Sequence, residues 1–415
     1  MKRFFSSVQK SSKTIEEFLA LDRQMTAQTY TPLPLVVAKA KGVEVWDVQG
    51  RRFLDCISGF GTLNHGHCHP KVSEAMKNQM DTVTMTGRCM FNDRMFDYVK
   101  LLTSTMGFEM SLLMNSGSEA CETAVKMARK WGHSIKGIPE NQARVVFPNK
   151  NFWGRTIAAV ATTEDLSKRV GFGPLPDGLD LVDFNDLPAL ENYFKATPNC
   201  AAYMFEPIQG EGGVVVPHDG YYTGVRDLCN KYNVLMIADE VQCGLGRVGY
   251  LEATGYESVK PDVLILAKAL GGGYYPLSAV LADSKIMNVW ELGTHGSTFS
   301  GNPLGSAVGI RSLEVMIEEN FVERSKSSGD YVLGELKRMQ PDWVKEVRGR
   351  GMWFAMEPRA DSKVTGADVM LAMLDEGMLA YKAGGGTVRM SPPLIMSKEN
   401  CDEMLEKTQK ALNKF

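Results

Sequence analysis

The chain has 415 residues, and 46 basic against 49 acidic side chains give it a formal net charge of -3. A hydrophobic content of 44% with so small a net charge excludes an intrinsically disordered protein, and the lack of a positive excess excludes a polybasic nucleic-acid binder. No apolar run approaches the roughly 20 residues that a membrane-spanning helix needs. Neither nucleic acid nor a membrane is therefore an expected partner.

The N-terminus differs in composition from the rest of the chain. Met1–Lys13 is basic and rich in serine, and the first acidic residue is Glu16. Such a segment is typical of a mitochondrial presequence, although a solvated N-terminal arm would have the same composition. The two interpretations place the protein in the mitochondrial matrix or in the cytoplasm. Residues 1–15 are left out of the fold prediction for this reason.

After residue 15, the sequence pattern predicts several helices and strands. Gly42–Phe53 predicts a hairpin that turns near Gln49–Gly50. A helix is expected to begin at Pro70, and Ser118–Trp131 and Tyr221–Tyr232 place their apolar residues at helical spacing. Continuous apolar runs, which are typical of strands buried on both faces, are Val145–Phe147, Ala201–Phe205, Val234–Ala238, Val263–Ala267 and Leu277–Leu281.

This alternation of buried strands and amphipathic helices predicts an α/β fold with a mostly parallel central sheet flanked by helices. A large domain is expected over residues 61–315. Residues 16–60 and residues 316–415 are expected to form a smaller α+β domain from both ends of the chain. In the second of these segments, helical stretches mix with short strands such as Val347–Met356.

Three of the predicted strands are followed directly by a charged residue, namely Glu206, Asp239 and Lys268. In an open α/β sheet, ligands bind outside the carboxyl ends of the strands, where such residues meet. A single charged residue after a strand usually begins a solvated loop. Three of them behind apolar strands favour an active site.

Two other motifs have weaker interpretations. Gly244–Gly249 matches GxGxxG, but Asp239–Cys243 separates it from the strand and no helical pattern follows, which disfavours a nicotinamide dinucleotide site. His65–Pro70 holds three histidines in a loop too short for all of them to face one ion, so no metal site is predicted. The eight cysteines contain no CxxC pair, and free thiols in a reducing compartment are expected.

Asn115–Ala120 lies at the start of the helix predicted over Ser118–Trp131. Free backbone N–H groups at a helix start, with small residues and hydroxyls around them, form an anion pocket. An ordinary N-cap by Ser116 or Ser118 would give the same pattern. The segment alone does not decide between a phosphate site and a cap.

Lys268 stands between a buried strand and three glycines, which predicts a confined side chain. Burial lowers the pKa of a lysine and makes it a nucleophile towards an aldehyde. Asp239, one strand away, could keep a pyridinium nitrogen protonated, since such an ion pair at about 3 Å and an effective dielectric constant near 20 is worth roughly 5 kcal/mol before desolvation. A protonated ring accepts electrons from a carbanion. Together with a phosphate pocket, these residues predict pyridoxal 5'-phosphate as the cofactor.

From about Tyr30 onward, the chain resembles the class III, fold-type I aminotransferases, and most closely the ornithine aminotransferases. The segments that carry the resemblance are Thr29–Pro34 (TYTPLP), Asn64–Pro70 (NHGHCHP), Asn151–Thr156 (NFWGRT), Glu206–Gly213 (EPIQGEGG), Ile237–Arg247 (IADEVQCGLGR), Leu266–Gly273 (LAKALGGG), His295–Pro303 (HGSTFSGNP) and Val388–Leu394 (VRMSPPL). The histidine and GxGxxG strings fall inside segments that this family uses otherwise.

The resemblance implies cofactor roles for matching residues. Lys268 would form the Schiff base and shuttle protons, and Asp239 would pair with the ring nitrogen. The other expected cofactor residues are Gly117 and Ser118 at the phosphate, Phe152 and Val241 on the two faces of the ring, Gln242 near its phenolic oxygen, Glu206, and Thr298 with Ser297 from a neighbouring subunit. This last pair implies an obligate homodimer with composite active sites.

The resemblance further implies transfer of the δ-amino group of L-ornithine to 2-oxoglutarate, which gives glutamate and glutamate-5-semialdehyde by a ping-pong mechanism. Ornithine and glutamate present carboxylates at different depths, so two arginine anchors are expected. By resemblance these are Arg389 near the ring and Arg155 farther out, with Tyr30 at the α-amino group of ornithine. Glu211 would cover Arg389 in the first half-reaction, and a purely structural ion pair is the alternative.

One position departs from the family pattern. Phe60 stands where the ornithine enzymes usually have tyrosine, at a position that helps to set substrate choice. The hydroxyl is lost, and with it a hydrogen bond typically worth about 0.5–1.5 kcal/mol. Acetylornithine and 4-aminobutyrate aminotransferases, which share the scaffold, are therefore the alternatives. Tyr30 and the Asn151–Thr156 segment favour ornithine.

Overall fold

A computed structural model describes residues 13–415, so the predicted presequence or arm lies, up to residue 12, outside the described residues. The α-helices of this part of the chain are α1 (Ile15–Met25), α2 (Ser58–Gly61), α3 (Pro70–Met80), α4 (Asp93–Met106), α5 (Gly117–Ser134), α6 (Ile157–Ala161), α7 (Leu187–Ala196), α8 (Tyr221–Tyr232), α9 (Ser284–Met287), α10 (Pro303–Glu318), α11 (Phe321–Arg338), α12 (Gly366–Asp375) and α13 (Lys398–Leu412). Short 3-10 helices are Leu166–Lys168, Ala253–Glu257, Lys268–Gly271 and Gly384–Gly386. None of the helices in the described part has the length and hydropathy of a membrane span.

The strands form three sheets. They are β1 (Val37–Lys41), β2 (Glu44–Asp47), β3 (Arg52–Asp55), β4 (Met110–Met114), β5 (Arg144–Pro148), β6 (Leu179–Val182), β7 (Cys200–Phe205), β8 (Leu235–Asp239), β9 (Val263–Leu266), β10 (Ser278–Ala282), β11 (Val344–Gly349), β12 (Phe354–Pro358), β13 (Met378–Leu379), β14 (Tyr381–Lys382) and β15 (Val388–Met390). Each of the five predicted apolar runs lies within one residue of an observed strand at both ends.

The central sheet has seven strands in the order β4-β10-β9-β8-β7-β5-β6. Six strands run in one direction, and β10 is antiparallel to both of its neighbours. Alternate residues of β9 enter two different hydrophobic clusters: Leu264 and Leu266 pack on the side of α4 and α10, and Val263 and Ile265 pack on the side of α5. Helices therefore cover both faces of the sheet, which confirms the predicted α/β fold.

The two smaller sheets use residues from the ends of the chain. One has the order β1-β2-β3-β13, in which the predicted hairpin is β2 with β3 and in which β13 pairs in parallel with β3, Met378 opposite Leu54. The other has the order β11-β12-β15-β14. Val347–Met356, predicted as a strand, covers parts of β11 and β12 and the turn between them, where Gly351 has a φ of 55°. The prediction of a single strand was wrong, because Gly349 and Gly351 break the segment at this turn and both have positive φ.

The single turn α2 is left-handed, with φ between 45° and 84° at all four residues. This conformation costs roughly 1–2 kcal/mol for each residue that carries a Cβ, here Ser58 and Phe60. Asp55 supports the turn, since its Oδ1 accepts the N–H groups of Ile57 at 2.8 Å and Ser58 at 2.9 Å. Ser391, which follows β15, donates its hydroxyl to the Ile57 carbonyl at 2.9 Å. These contacts set the direction in which Phe60 points.

Candidate active site

The predicted site residues meet at the carboxyl edge of the parallel strands. Glu206 follows β7, Asp239 ends β8, and Lys268 lies two residues after β9. Because β8 and β9 are paired with Asp239 opposite Ile265, the aspartate and the lysine stand on neighbouring strands. The loop after β4 reaches the same edge and begins α5 at Gly117.

A cavity of about 410 Å³ opens between the start of α5 and the Lys268 segment. Its lining includes Asn115, Ser116, Gly117, Lys268 and Tyr275. This volume falls within the usual range for small-molecule and cofactor sites. A smaller gap lies farther in, beside Asp239 and bounded by Phe152 and Glu206.

The start of α5 is an N-cap, and a phosphate site at the same place stays a prediction. Ser116 is the N-cap, because its hydroxyl accepts the N–H of Glu119 at 3.1 Å, and the Glu119 carboxylate accepts the N–H groups of Asn115 and Ser116 at 2.9 and 3.0 Å. The N–H groups of Gly117 and Ser118 are in the first turn, where no helical carbonyl can accept them. They are available to an anion at the positive end of the helix dipole.

Two glycines allow the close packing around this helix start. A Cβ on Gly117 would lie 3.2 Å from Cγ1 of Val241 and 3.7 Å from Cβ of Ala267. A Cβ on Gly154 would overlap Oγ of Ser118, and Gly154 has a φ of 139°. The segments that follow β5, β8 and β9 can therefore all approach α5, and they leave a cradle that a larger side chain would fill.

Asp239 is buried and oriented by two donors. Its Oδ1 accepts the N–H of Val241 at 3.1 Å, and its Oδ2 accepts the thiol of Cys121, on α5, at 3.4 Å. Burial raises the pKa of this carboxyl to about 6, against the opposing effects of these two hydrogen bonds and of Lys268. A cationic group beside the carboxylate would lower this pKa again, because an opposite charge favours the ionised form.

Lys268 is half-buried, and its backbone is strained. Its φ is 45°, in the left-handed region that a residue with a side chain seldom adopts. Burial lowers the pKa of its amine, Arg389 lowers it further, and Asp239 opposes both effects. A strained backbone and a lowered lysine pKa are both features that occur at functional sites.

Glu206 connects two loops of the site. Its Oε1 accepts the N–H of Phe152 at 2.9 Å, and its Oε2 accepts the N–H of Gly210 at 3.0 Å. Burial raises the pKa of this carboxyl to about 8, and the charge of Asp239 raises it in the same direction. Phe152 is half-buried, and the guanidinium of Arg155 lies 5.2 Å from the centre of its ring. Glu206 thus aligns the Phe152 loop with the loop that carries Glu211.

Arg389 and Glu211 form an ion pair at the other side of the site, with 2.7 Å between Nη1 and Oε1. The arginine side chain is 2% exposed and the glutamate side chain 34% exposed. Nη1 also lies 3.5 Å from Oε1 of Gln242, while Nη2 is buried with no hydrogen-bond partner in residues 13–415. Gly384 donates its N–H to the Glu211 carbonyl at 2.8 Å. The buried arginine therefore has an unused donor and a covering carboxylate at the surface.

Three predicted residues lie at the surface of the single chain: Tyr30, Arg155 and Thr298. Tyr30 is 74% exposed and makes no hydrogen bond or ring contact within the described range. Ser297 was predicted with Thr298 to serve a neighbouring subunit, but its hydroxyl contacts the start of α5 in its own chain. It accepts from Asn115 Nδ2 at 2.8 Å and donates to Glu119 Oε1 at 3.3 Å.

Two further residues near the site were missed. Cys121 lies on the face of α5 that contains Gly117, four residues earlier, and this spacing could have identified it. Tyr381 contacts the ring of Phe60, with the two ring centres 5.2 Å apart, but no sequence signal pointed to it. The histidine loop holds no metal cluster: across residues 13–415, no three His, Cys, Asp or Glu side chains are arranged around a common ion position.

Comparison with known proteins identifies the family. The family model "Aminotransferase class-III" matches residues 25–412 of the chain. The chain belongs to the class-III aminotransferases. It is 44% identical to the mitochondrial ornithine aminotransferase of Rattus norvegicus, over 94% of this chain and 88% of the rat protein.

Two solved structures of other class-III aminotransferases are similar to this one. The ornithine aminotransferase of Toxoplasma gondii ME49 has a TM-score of 0.95 at 40% identity, over 97% of this chain and 96% of that one. The acetylornithine aminotransferase of Elizabethkingia anophelis has a TM-score of 0.88 at 38% identity, over 97% of this chain and all (100%) of that one. Fold and family are thus established, and the two neighbours differ in the substrate for which they are named.

Proposed function

We propose that this class-III aminotransferase is an ornithine δ-aminotransferase, which transfers the δ-amino group of L-ornithine to 2-oxoglutarate and yields glutamate and glutamate-5-semialdehyde. The observation that carries the proposal is the buried Arg389 covered by Glu211, at 2.7 Å. An enzyme that accepts a terminal amine in one half-reaction and an α-amino acid in the other needs a carboxylate anchor that can be covered and uncovered. The high identity to an ornithine aminotransferase over most of the chain supports the same assignment.

We propose pyridoxal 5'-phosphate as the cofactor, since the donor set fits each part of it. The N–H groups of Gly117 and Ser118 suit a phosphate, and a Cβ at position 117 would crowd the Val241 side chain at 3.2 Å. The oriented carboxylate of Asp239 suits a ring nitrogen, and the buried amine of Lys268 suits an aldehyde. When bound, the cofactor supplies an electron sink for the carbon that carries the reacting amine.

The residues of the chain hold and move the protons of the reaction. Lys268, with its pKa lowered by burial, is neutral more often than a solvated lysine, so Nζ can take a proton from the substrate carbon and return one. The Asp239 carboxylate, which Val241 and Cys121 keep oriented, would hold a proton on the ring nitrogen of the cofactor. Glu206 keeps the loop of Phe152 in place, which excludes water from that side of the site.

Substrate orientation follows from the arginines. With Glu211 on Arg389, the near carboxylate anchor is occupied, and ornithine enters with its δ-amine inward and its α-carboxylate towards the exposed Arg155. When 2-oxoglutarate binds, its own carboxylate replaces Glu211 on Arg389, where the free Nη2 offers a second donor. Tyr30 would join the outer end of the site, where the α-amino group of ornithine lies.

We further propose a homodimer with composite sites. Thr298 is exposed beside Phe299, which is 52% exposed, and Leu292 on the same segment is fully exposed. Phe91 is 85% exposed and contacts Phe96, whose ring centre lies 5.8 Å away. Apolar surface of this kind marks an interaction site. By resemblance to the family, Thr298 would serve the phosphate cradle of the second copy that covers this surface.

The domain division and the location stay predictions. The pairing of β3 with β13 supports a smaller unit built from both chain ends around the domain of residues 61–315. The mitochondrial hypothesis depends on residues that lie almost entirely outside the described range. Apart from the composition of these residues, the mitochondrial hypothesis is supported by the name of the rat relative.

The second candidate function is acetylornithine aminotransferase, and Phe60 favours it because the ornithine enzymes usually have tyrosine there. The deciding experiment measures kcat/KM for ornithine, N-acetylornithine and 4-aminobutyrate with 2-oxoglutarate as acceptor. We expect ornithine to give the highest value, and Lys268→Ala serves as the inactive control. A higher value for N-acetylornithine would replace the proposal with the second candidate.

A further inference from the structure

Tyr381 shares a face of its sheet with the carboxylate anchor. It lies on β14 directly opposite Arg389 of β15 in the antiparallel register. Residues that stand opposite each other on paired antiparallel strands project to the same face. The side chain of Arg389 points to Glu211 and Gln242, so the side chain of Tyr381 emerges on the substrate side of the sheet.

The ring of Phe60 contacts both Arg389 and Tyr381. The guanidinium of Arg389 is 5.5 Å from the centre of the Phe60 ring. The ring of Tyr381 meets the same ring edge to face, with 5.2 Å between centres and 88° between planes. Phe60 cannot move freely, because it belongs to the left-handed turn that Asp55 and Ser391 hold. The position of Tyr381 relative to the anchor is therefore fixed through a rigid ring.

The hydroxyl of Tyr381 makes no hydrogen bond within residues 13–415. Tyr381 is half-buried, and its ring contact with Phe60 is its one side-chain interaction in residues 13–415. A tyrosine hydroxyl in such a place usually has a hydrogen-bond partner. The neighbouring Phe60 side chain cannot be this partner, because it has no polar atom. The Tyr381 hydroxyl thus lies on the same side of the site as Arg389, one ring away from Phe60.

We propose that Tyr381 is a specificity-determining residue, whose hydroxyl binds the amino-acid end of the ω-amino substrate in place of the hydroxyl that Phe60 lacks. The hydroxyl can accept from an α-ammonium group and donate to an α-carboxylate. It therefore favours substrates that carry both groups over 4-aminobutyrate, which has no α-amine. This inference rests on the proposed ω-aminotransferase function and adds a residue to it.

The test moves the hydroxyl between the two rings. Tyr381→Phe should lower kcat/KM for ornithine by about 10- to 150-fold, the effect of one hydrogen bond to a charged group, mainly through KM. The reaction of 2-oxoglutarate should not change, because its carboxylate binds Arg389. The double variant Phe60→Tyr/Tyr381→Phe should recover most of the loss. Tyr331→Phe, which removes a hydroxyl bound to Asp402 on the outside of the molecule, is the matched control.

The outcomes separate the two claims. If wild-type enzyme turns over ornithine and Tyr381→Phe matches it in kcat/KM, the inference is overturned and the function stands. A loss that is equal for ornithine and 2-oxoglutarate, or that Phe60→Tyr does not reverse, also overturns it, since it indicates a packing role. If wild-type enzyme does not turn over ornithine, the proposed function fails first. Thermal melting of each variant verifies that the fold is kept.

Discussion

Replacing Glu211 with glutamine should change which amine reacts. An α-amino acid that approaches the inner anchor must displace the 2.7 Å contact between Glu211 and Arg389. A hydrogen bond to a charged group is worth about 1.5–3 kcal/mol, which corresponds to roughly 10- to 150-fold in access to Arg389. Glu211 is 34% exposed, so solvent screening places the effect near the lower end of this range. Glu211→Gln keeps the size of the side chain and removes its charge.

The assay compares kcat/KM for ornithine with that for glutamate as amino donor, and follows ornithine products from reaction at the δ- and α-amines. We expect the ratio of glutamate to ornithine to rise about 10-fold, with new α-amine product. Glu44→Gln is the control, because Glu44 pairs with Arg52 at nearly the same exposure (35%) and neither residue belongs to the predicted site. An unchanged partition between δ- and α-amines would show that the Glu211 pair is structural and has no part in substrate choice.

Three further predictions concern the cofactor site. Mixing inactive Lys268→Ala chains with inactive Thr298→Ala chains should restore activity at about a quarter of all sites. In a dimer that contains one chain of each kind, one of the two sites has both residues intact. If no activity returns after subunit exchange has been verified, the composite site is contradicted. Gly154→Ala should weaken binding of pyridoxal 5'-phosphate, measured by titration, because its Cβ would push the start of α5, whereas Gly137→Ala, also at positive φ but in open space, should bind normally. The cofactor-free protein should lose stability as the pH rises from about 4.5 to about 8, because the raised pKa of Glu206 lets the folded state hold a proton that the unfolded chain releases. Glu206→Gln should reduce the resulting fall in melting temperature with pH. An equal fall in both proteins would contradict the raised pKa.

The central sheet could be predicted because its strands are buried on both faces and are therefore continuous apolar runs. The same property hides strand direction: β10 is antiparallel, yet its composition is that of its parallel neighbours. Glu206, Asp239 and Lys268 could be expected at one edge of the sheet because each directly follows such a run. The ends of parallel strands meet wherever the sheet forms, so their proximity needs no further information.

The rest depends on contacts between distant segments. The bond from Cys121 to Asp239 requires that α5 pack across the strands in one particular rotation. The place of Tyr381 depends on the register of two strands of two and three residues, which carry almost no pattern. The left-handed turn at Phe60 is stable because Ser391 reaches it from the far end of the chain. Local propensity argues against such a turn, and only the tertiary contacts override it.

The parallel pairing of β3 with β13 has a consequence for the order in which the molecule is made. Met378 stands opposite Leu54, so more than three hundred residues separate the partners along the chain. While a ribosome synthesises the protein from its N-terminus, the outer edge of β3 remains uncovered until nearly the last strand emerges. An uncovered strand edge recruits other chains. For most of its synthesis, the nascent protein therefore exposes this strand edge to pairing with other chains.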